Sequence, residues 1–589
     1  ERSGVEGVGG GGPGPCEVPG VPPEAPGSLQ MRMNKLMEDC ERLESAEDED
    51  TEPYKSKYEA RKRFEEFKSE LQRARAENPE GNAEIEIPIA QLDCRIGINQ
   101  FLTEENADGQ KSMENGLKVL DSVGFKVVQE AVNNGGDSGP CDSMPADSSG
   151  VVDVLNSYNY LGILWNKRAE GSEKALLYLK RAKLIFESVG QGPEADAAYT
   201  MTLYFLAQTY AALGDGDSAS ECVIETLRRQ KRFKQVFDTV RWSRNALELS
   251  TYYAQKGMVG CWLHCLHAAE LTIQDDSDDK HETDDVNRLK ADIEISRADA
   301  FGTILQAGTI LLRGGQLENG WENEEIQTKV TIDLLDGAQV PKTQVVTAQS
   351  VKTFQVAREL FKTANAALEH AKQYYVLDGY VTEHIKILQQ QATLYKNLSC
   401  FEDDPKRFLA MHSRREKLLA QLLEELNPEF YNVQIQEISY ELLDASMMML
   451  STRERIVEQK HELELADLKK INECCVRVVK YGTRYGEAFR KAEELDEKSG
   501  NKTSDEELST YLRSHFYIAN AYRKMHAPPG SNPQAQAVFL QESLKWFETT
   551  TRLAAERLPK NSPVFAEEIK ISQEMIELIP AQLRTMVYH

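Results

Sequence analysis

Large apolar, small and aromatic positions recur along Leu203–Leu227 in an order that specifies two helices joined by a sharp turn. Leu206, Ala207 and Tyr210 mark one helical face, Gly214 and Asp215 break the period, and Ala219, Val223 and Thr226 mark the facing stripe. Small residues let paired helices approach closely, while aromatic and bulky ones fill the space between adjacent hairpins. The same marks return at Leu161, Gly162 and Trp165 with Ala175, Leu179 and Ala182. They return again at Leu249, Ser250, Tyr253 and Gly257 with Trp262, Leu266 and Ala269. Weaker copies use Ile96, Gly97 and Gln100 with Met113, Leu117 and Leu120, and Ile518, Ala519 and Tyr522 with Ser543, Phe547 and Thr550. Trp262 stands where a small residue is usual, so its hairpin is expected to be splayed or its indole tilted outward.

This order of marks is the tetratricopeptide pattern, in which one hairpin cannot bury its own apolar faces and must stack on neighbours. The equivalent leucines at 161, 206 and 249 are spaced more widely than the ideal repeat of about 34 residues, which calls for longer helices or loops. The remaining chain is helical in period: a helix is expected from near Tyr54 through Leu71. Others are expected over Phe354–Tyr375, Val381–Phe401, Lys406–Leu426, Phe430–Leu450, Val457–Gly486, Glu506–Met525 and Ala535–Leu558, and no run of paired strands. The fold class is therefore all-α, a tetratricopeptide-like helical solenoid in two halves joined by a linker. The expected boundaries are a low-complexity, disordered tail over 1–50, an N-terminal half over 51–312, a linker over 313–350 and a C-terminal half over 351–589. Glycine and proline dominate residues 1 to about 30, and from Met31 to roughly Glu77 the composition becomes helical, interrupted by the acidic run Glu44–Glu52 and Pro53. The loop Asn133–Gly150 and the acidic run Asp275–Asp285 read as solvated connections.

At 589 residues the chain exceeds one compact core. Its formal net charge of −26 argues against nucleic acid as a general partner. Ten cysteines are scattered without a C-x2-C pair, so neither a disulfide framework nor a zinc ribbon is expected. No signal peptide or membrane span is visible, and the expected state is a cytoplasmic monomer. No phosphate-binding loop is present, and His461-Glu462 opens an H-E-x-x-H that Leu465 fails to complete. Cys261, His264 and Cys265 share a helical face, yet they lie where the hairpin needs core, so burial is favoured over a metal. No catalysis, cofactor or metal is expected.

Two features resist a purely structural reading. Leu227–Lys234 (LRRQKRFK), with Arg241 and Arg244, is a cationic island; it either complements the end of a second helix or docks an acidic partner. Counting from the marked leucines assigns a polar lining to the first helices: Asn156, Asn159, Asn166 and Lys167; then Tyr204 and Gln208; then Arg244, Thr251 and Gln255. Amides and hydroxyls can bond a partner's side chains, and concave solenoid faces are the usual binding surfaces.

Several words in the chain are more specific than the repeat: EPYKSKY at Glu52–Tyr58, LGILW at Leu161–Trp165, LYFLAQTY at Leu203–Tyr210, DGYVTEHI at Asp378–Ile385, MHSRR at Met411–Arg415 and LNPEFY at Leu426–Tyr431. In these the chain resembles the kinesin-binding protein (KIF-binding protein) family from about Glu52 to Thr585. The resemblance implies a helical solenoid that binds kinesin motor domains in a concave groove and blocks their microtubule attachment, regulating microtubule-based transport at the cytoskeleton. It also implies binding roles for Tyr204, Phe205, Gln208, Gln230 and Glu248. Phe205 and Glu248 stand where the family carries tyrosine and threonine, which bears on the choice of kinesin. The rival expectation is a general scaffold or chaperone adaptor that grips peptide tails.

Overall fold

The computed structural model describes residues 26–46, 48, 52–77, 82–123, 149–189, 193–232, 238–276, 283–318, 320–334, 346–460, 464–499, 503–528, 533–559 and 563–587. Most of the tail, the loop at 133–148, the middle of the acidic run and the His461-Glu462 pair lie outside them. Among the described residues the regular structure is entirely helical. The chain divides into two compact units, Glu1–Val236 and Phe237–His589.

The first unit holds α1 (Pro26–Glu44), α2 (Lys55–Glu77), α3 (Asn82–Leu102), α4 (Asn106–Val123), α5 (Ser149–Asn166), α6 (Ser172–Val189), α7 (Pro193–Ala212) and α8 (Gly216–Arg232). Each helix packs on the next, and α5 also packs on both α3 and α7, so the first helices of successive hairpins form one layer. The marks do what their sizes dictate. Leu161, Ala175, Leu179 and Ala182 are fully buried, and a Cβ on Gly162 would meet Leu179 Cγ at 2.6 Å. Gly214 turns the chain between α7 and α8 at φ +79°, a conformation that favours glycine. These helices run 17 to 20 residues, which accounts for the wide repeat spacing.

Helix α1 corrects the expectation that residues up to 50 form a disordered tail. Leu29, Met33, Leu36, Cys40 and Leu43 recur at alternating spacings of four and three, and this stripe packs against Ala60, Phe64, Leu71 and Leu92. The helical composition is legible from Met31 onward, and the glycine and proline just before it hid the first turn.

The second unit holds α9 (Thr239–Gln255), α10 (Val259–Asp276), α11 (Asp284–Leu312), the short α12 (Glu324–Thr328), α13 (Phe354–Tyr374), α14 (Val381–Ser399), α15 (Pro405–Glu425), α16 (Asn432–Glu458), α17 (Leu465–Ser499), α18 (Asp505–Lys524), α19 (Pro533–Arg557) and α20 (Ala566–Val587). Helices α11, α13 and α14 share one core, which includes Ile304, Leu305, Leu360, Leu368 and Leu394. The segment expected as a linker is partly built into this unit. Gln327 is fully buried, its amide donating to Trp321 O (2.8 Å) and Gln349 Oε1 (2.9 Å) and accepting from Ala348 N (2.9 Å).

Two helical expectations are corrected. The break placed between Leu450 and Val457 falls instead after Glu458, because Ile438, Leu442, Ala445, Met449 and Thr452 continue one buried stripe; the hydroxyl at Thr452 hid its last member. Helix α20 was not foreseen, since Pro580 lies within it and reads as a stop. Trp262 is neither tilted outward nor exposed: it is buried, its indole N–H donating to Ser296 Oγ at 3.1 Å.

Candidate partner-binding surfaces

Helix α9 is divided cleanly by burial. Trp242, Ser243, Ala246, Leu249, Ser250 and Tyr253 are buried, while Arg244, Glu248, Thr251 and Gln255 are exposed. Positions i, i+4, i+7 and i+11 lie on one helical face, so these four form a single polar row, which exposed Arg241 extends by one turn. The helix start is fixed by Asp238, whose side chain accepts from Arg241 N at 3.0 Å. Thr251 turns its hydroxyl to Glu248 O (2.7 Å), leaving the carboxylate outward.

Helix α7 presents a similar row in the first unit. Tyr204 is 41% exposed and Gln208 is exposed, while Leu203, Leu206 and Ala207 are buried behind them. Phe205 is half-buried against the core and meets Tyr204 edge-on, with ring centroids 5.2 Å apart. Phe205 therefore holds the Tyr204 ring from the side.

Other expected lining residues are placed differently. Asn159 is fully buried: it donates to Ala198 O (2.9 Å) and accepts from Thr202 Oγ1 (2.8 Å), so it ties α5 to α7 and has no surface to offer. The count from Leu161 put it on the lining, but α5 is covered there by α7. Asn166 likewise donates to the buried Thr209 hydroxyl at 2.7 Å. Lys167 is exposed in the turn after α5, its ammonium 5.1 Å from the Phe101 ring centroid, and thus stands beyond the helix it was counted on.

The cationic island splits as well. Arg229 is internal, paired to Asp196 (2.7 Å) and Glu225 (2.9 Å) and placed over the stacked rings of Phe186 and Tyr199. Burial, then the Glu187 carboxylate, pushes the Tyr199 phenol up and keeps it neutral. Gln230 is half-exposed on α8. In the second unit the sulfur and imidazole of α10 are engaged by backbone: Cys261 Sγ lies 3.4 Å from both Lys329 O and Thr331 N, and His264 Nε2 accepts from Leu334 N at 3.0 Å. Burial pushes the Cys265 thiol up. These groups secure the segment after α12.

Antiparallel hairpins whose first helices stack and carry polar rows define the chain as a tetratricopeptide-like α-helical repeat protein. A sequence model of the family described as "KIF-1 binding protein C terminal" matches residues 240–586, and the chain belongs to that family. Among curated relatives it is similar to "KIF-binding protein" of Gallus gallus, at 26% identity over 92% of this chain and 95% of that one. The Homo sapiens relative of the same name is 25% identical, again over 92% and 95% of the two chains. The Drosophila melanogaster one is 23% identical over 95% and 96%. A solved structure titled "Kinesin binding protein (KBP)" shares the fold, with a TM-score of 0.60, 23% identity, and coverage of 96% of this chain and 100% of that one.

Proposed function

We propose that this chain binds kinesin motor domains through the polar rows of α7 and α9 and thereby keeps the motor from its microtubule. The observation that carries the reading is the α9 row, Arg244, Glu248, Thr251 and Gln255, held outward by a fully packed opposite face in a chain similar over 92% of its length to proteins named for kinesin binding. The mechanism is steric and competitive. The rigid face of α9 presents an amide, a hydroxyl and two opposite charges in fixed positions, so a folded guest is recognised without that face being ordered first. Occupancy is the activity, and no bond is made or broken. Tyr204 adds an aromatic anchor, a residue type enriched where interface energy concentrates. The setting is the cytoplasm, at the cytoskeleton, with the chain acting as a monomer.

Each polar anchor contributes on the order of 0.5–1.5 kcal/mol. The triple variant Gln208→Ala, Gln230→Ala, Arg244→Ala should therefore weaken motor capture by roughly one to three powers of ten, and in microtubule co-sedimentation it should leave the motor in the pellet. Undiminished capture would move the site to another face. A screen of peptide tails against folded motor domains tests the adaptor alternative; retention of the tails alone would support it.

A further inference from the structure

Within the second unit a cleft of 460 Å³ opens between the end of α13, α14 and α15. Its size falls in the range of about 300–1,000 Å³ that accepts ligand-sized groups. The floor is apolar: Leu388 and Leu422 are buried, and Leu377 and Leu418 are packed half-exposed on the same core. The rim is cationic in a chain whose net charge is −26. Two of its four basic groups are committed elsewhere, Lys372 to Glu369 at 2.8 Å and His384 Nδ1 to Tyr375 O at 2.8 Å. The other two, Arg414 and Lys417, are exposed and have no ion pair or side-chain hydrogen bond among the described residues. The one rim carboxylate, Glu425, accepts from Gln421 at 3.2 Å and leaves both cations uncompensated. The adjacent Arg415 is the opposite case, 1% exposed and bound to Asp444. The paired arginines of MHSRR thus serve two purposes, one facing inward and the other outward.

We propose that this cleft docks a short acidic amphipathic helix of a partner protein. Arg414 and Lys417, three residues apart, share a helical face with Cβ atoms about 5–6 Å apart. Carboxylates at i and i+4 of a facing helix have the same separation, and a Leu or Phe between them would enter over Leu388, Leu418 and Leu422. The apolar floor favours this occupant over a nucleic acid or a small polyanion, neither of which would gain from contact with leucine side chains. The proposal does not rest on the motor reading, since the α7 and α9 rows lie on other helices.

The test uses the full chain and a fluorescein-labelled 16-residue helical peptide with leucines at i and i+4 flanked by glutamates, followed by fluorescence anisotropy. Saturable binding is expected, weakening as salt rises from 50 to 300 mM because exposed charges are screened. The Arg414→Glu, Lys417→Glu double variant should lose at least tenfold in affinity, as should Leu418→Asp. Because Arg414 and Lys417 are exposed and make no ion pair among the described residues, the double variant should keep the wild-type circular dichroism and melting curve. A peptide with lysines in place of glutamates should not bind. Three outcomes overturn the proposal: no saturable binding of the acidic peptide, equal affinity in the charge-reversed variant, or binding of tripolyphosphate without binding of the peptide.

Discussion

At the scale of single residues, two ionisable groups of the second unit, buried His412 and half-buried Asp299, oppose one another in pH. His412 lies 2% exposed between Ser399 Oγ (3.2 Å) and the Phe408 ring, and burial, then the Arg415 charge, pushes its pKa down to about 4. The unfolded chain takes up that proton near the ordinary value of about 6.5, so the folded state binds fewer protons in between. His412 thus costs stability progressively as pH falls from 6.5 to 4. Asp299, in the groove between α11 and α14, is raised to about 6 by burial and accepts from Gln390 Nε2 at 2.7 Å. There the folded state binds the extra proton, so its stabilisation is present at low pH and lost as pH rises through 6. The expected outcome is that Asp299→Asn raises the melting temperature at pH 7.5 but not at pH 3.5. His412→Gln should flatten the decline between pH 6.5 and 4 when melting is followed across that range. Residue identity made both groups visible in sequence; their burial was not legible, because it is created by helices distant in the chain.

At the scale of helices and hairpins, the pattern of large and small positions carried most of the information. Gly162 illustrates why: the α5–α6 crossing is so close that Leu179 fills the space a side chain would need. Gly162→Val should cost roughly 1–3 kcal/mol by overpacking, measured as a shift of the denaturant midpoint with an unchanged slope. Loss of slope instead would mean that the hairpin has another packing available. The pattern failed where a buried polar residue continued an apolar stripe, as at Thr452 in α16, and where a local signal was misleading, as at Pro580 in α20. It also failed at Asn159. An amide on a helix reads as surface unless the partner that satisfies it is known, and here the partners are Thr202 and the Ala198 carbonyl, some forty residues on.

At the scale of the whole molecule, two units with their own cores should lose protection separately. Asn159→Ala leaves the Thr202 hydroxyl and the Ala198 carbonyl without that amide inside the first unit, at a cost of roughly 1–3 kcal/mol. Hydrogen exchange should show faster exchange in α5 and α7 and unchanged exchange in α16–α18, whose core around Leu442, Leu443 and Cys475 does not include these residues. Acceleration in both regions would mean that the chain opens as one cooperative block. Among the described residues no helix is long and apolar enough to cross a membrane.

The helical class, the repeat, the turn glycines and the family words were all determined by the sequence alone, because each depends on spacing within a few turns of chain. Only the tertiary structure decided which polar side chains face outward. Arg244, Glu248, Thr251 and Gln255 stand clear, Asn159 and Arg229 are consumed internally, and Arg414 and Arg415 take opposite directions from adjacent positions. A polar residue is satisfied equally well by water or by a buried partner, and the choice between them is made by whatever element happens to pack above it.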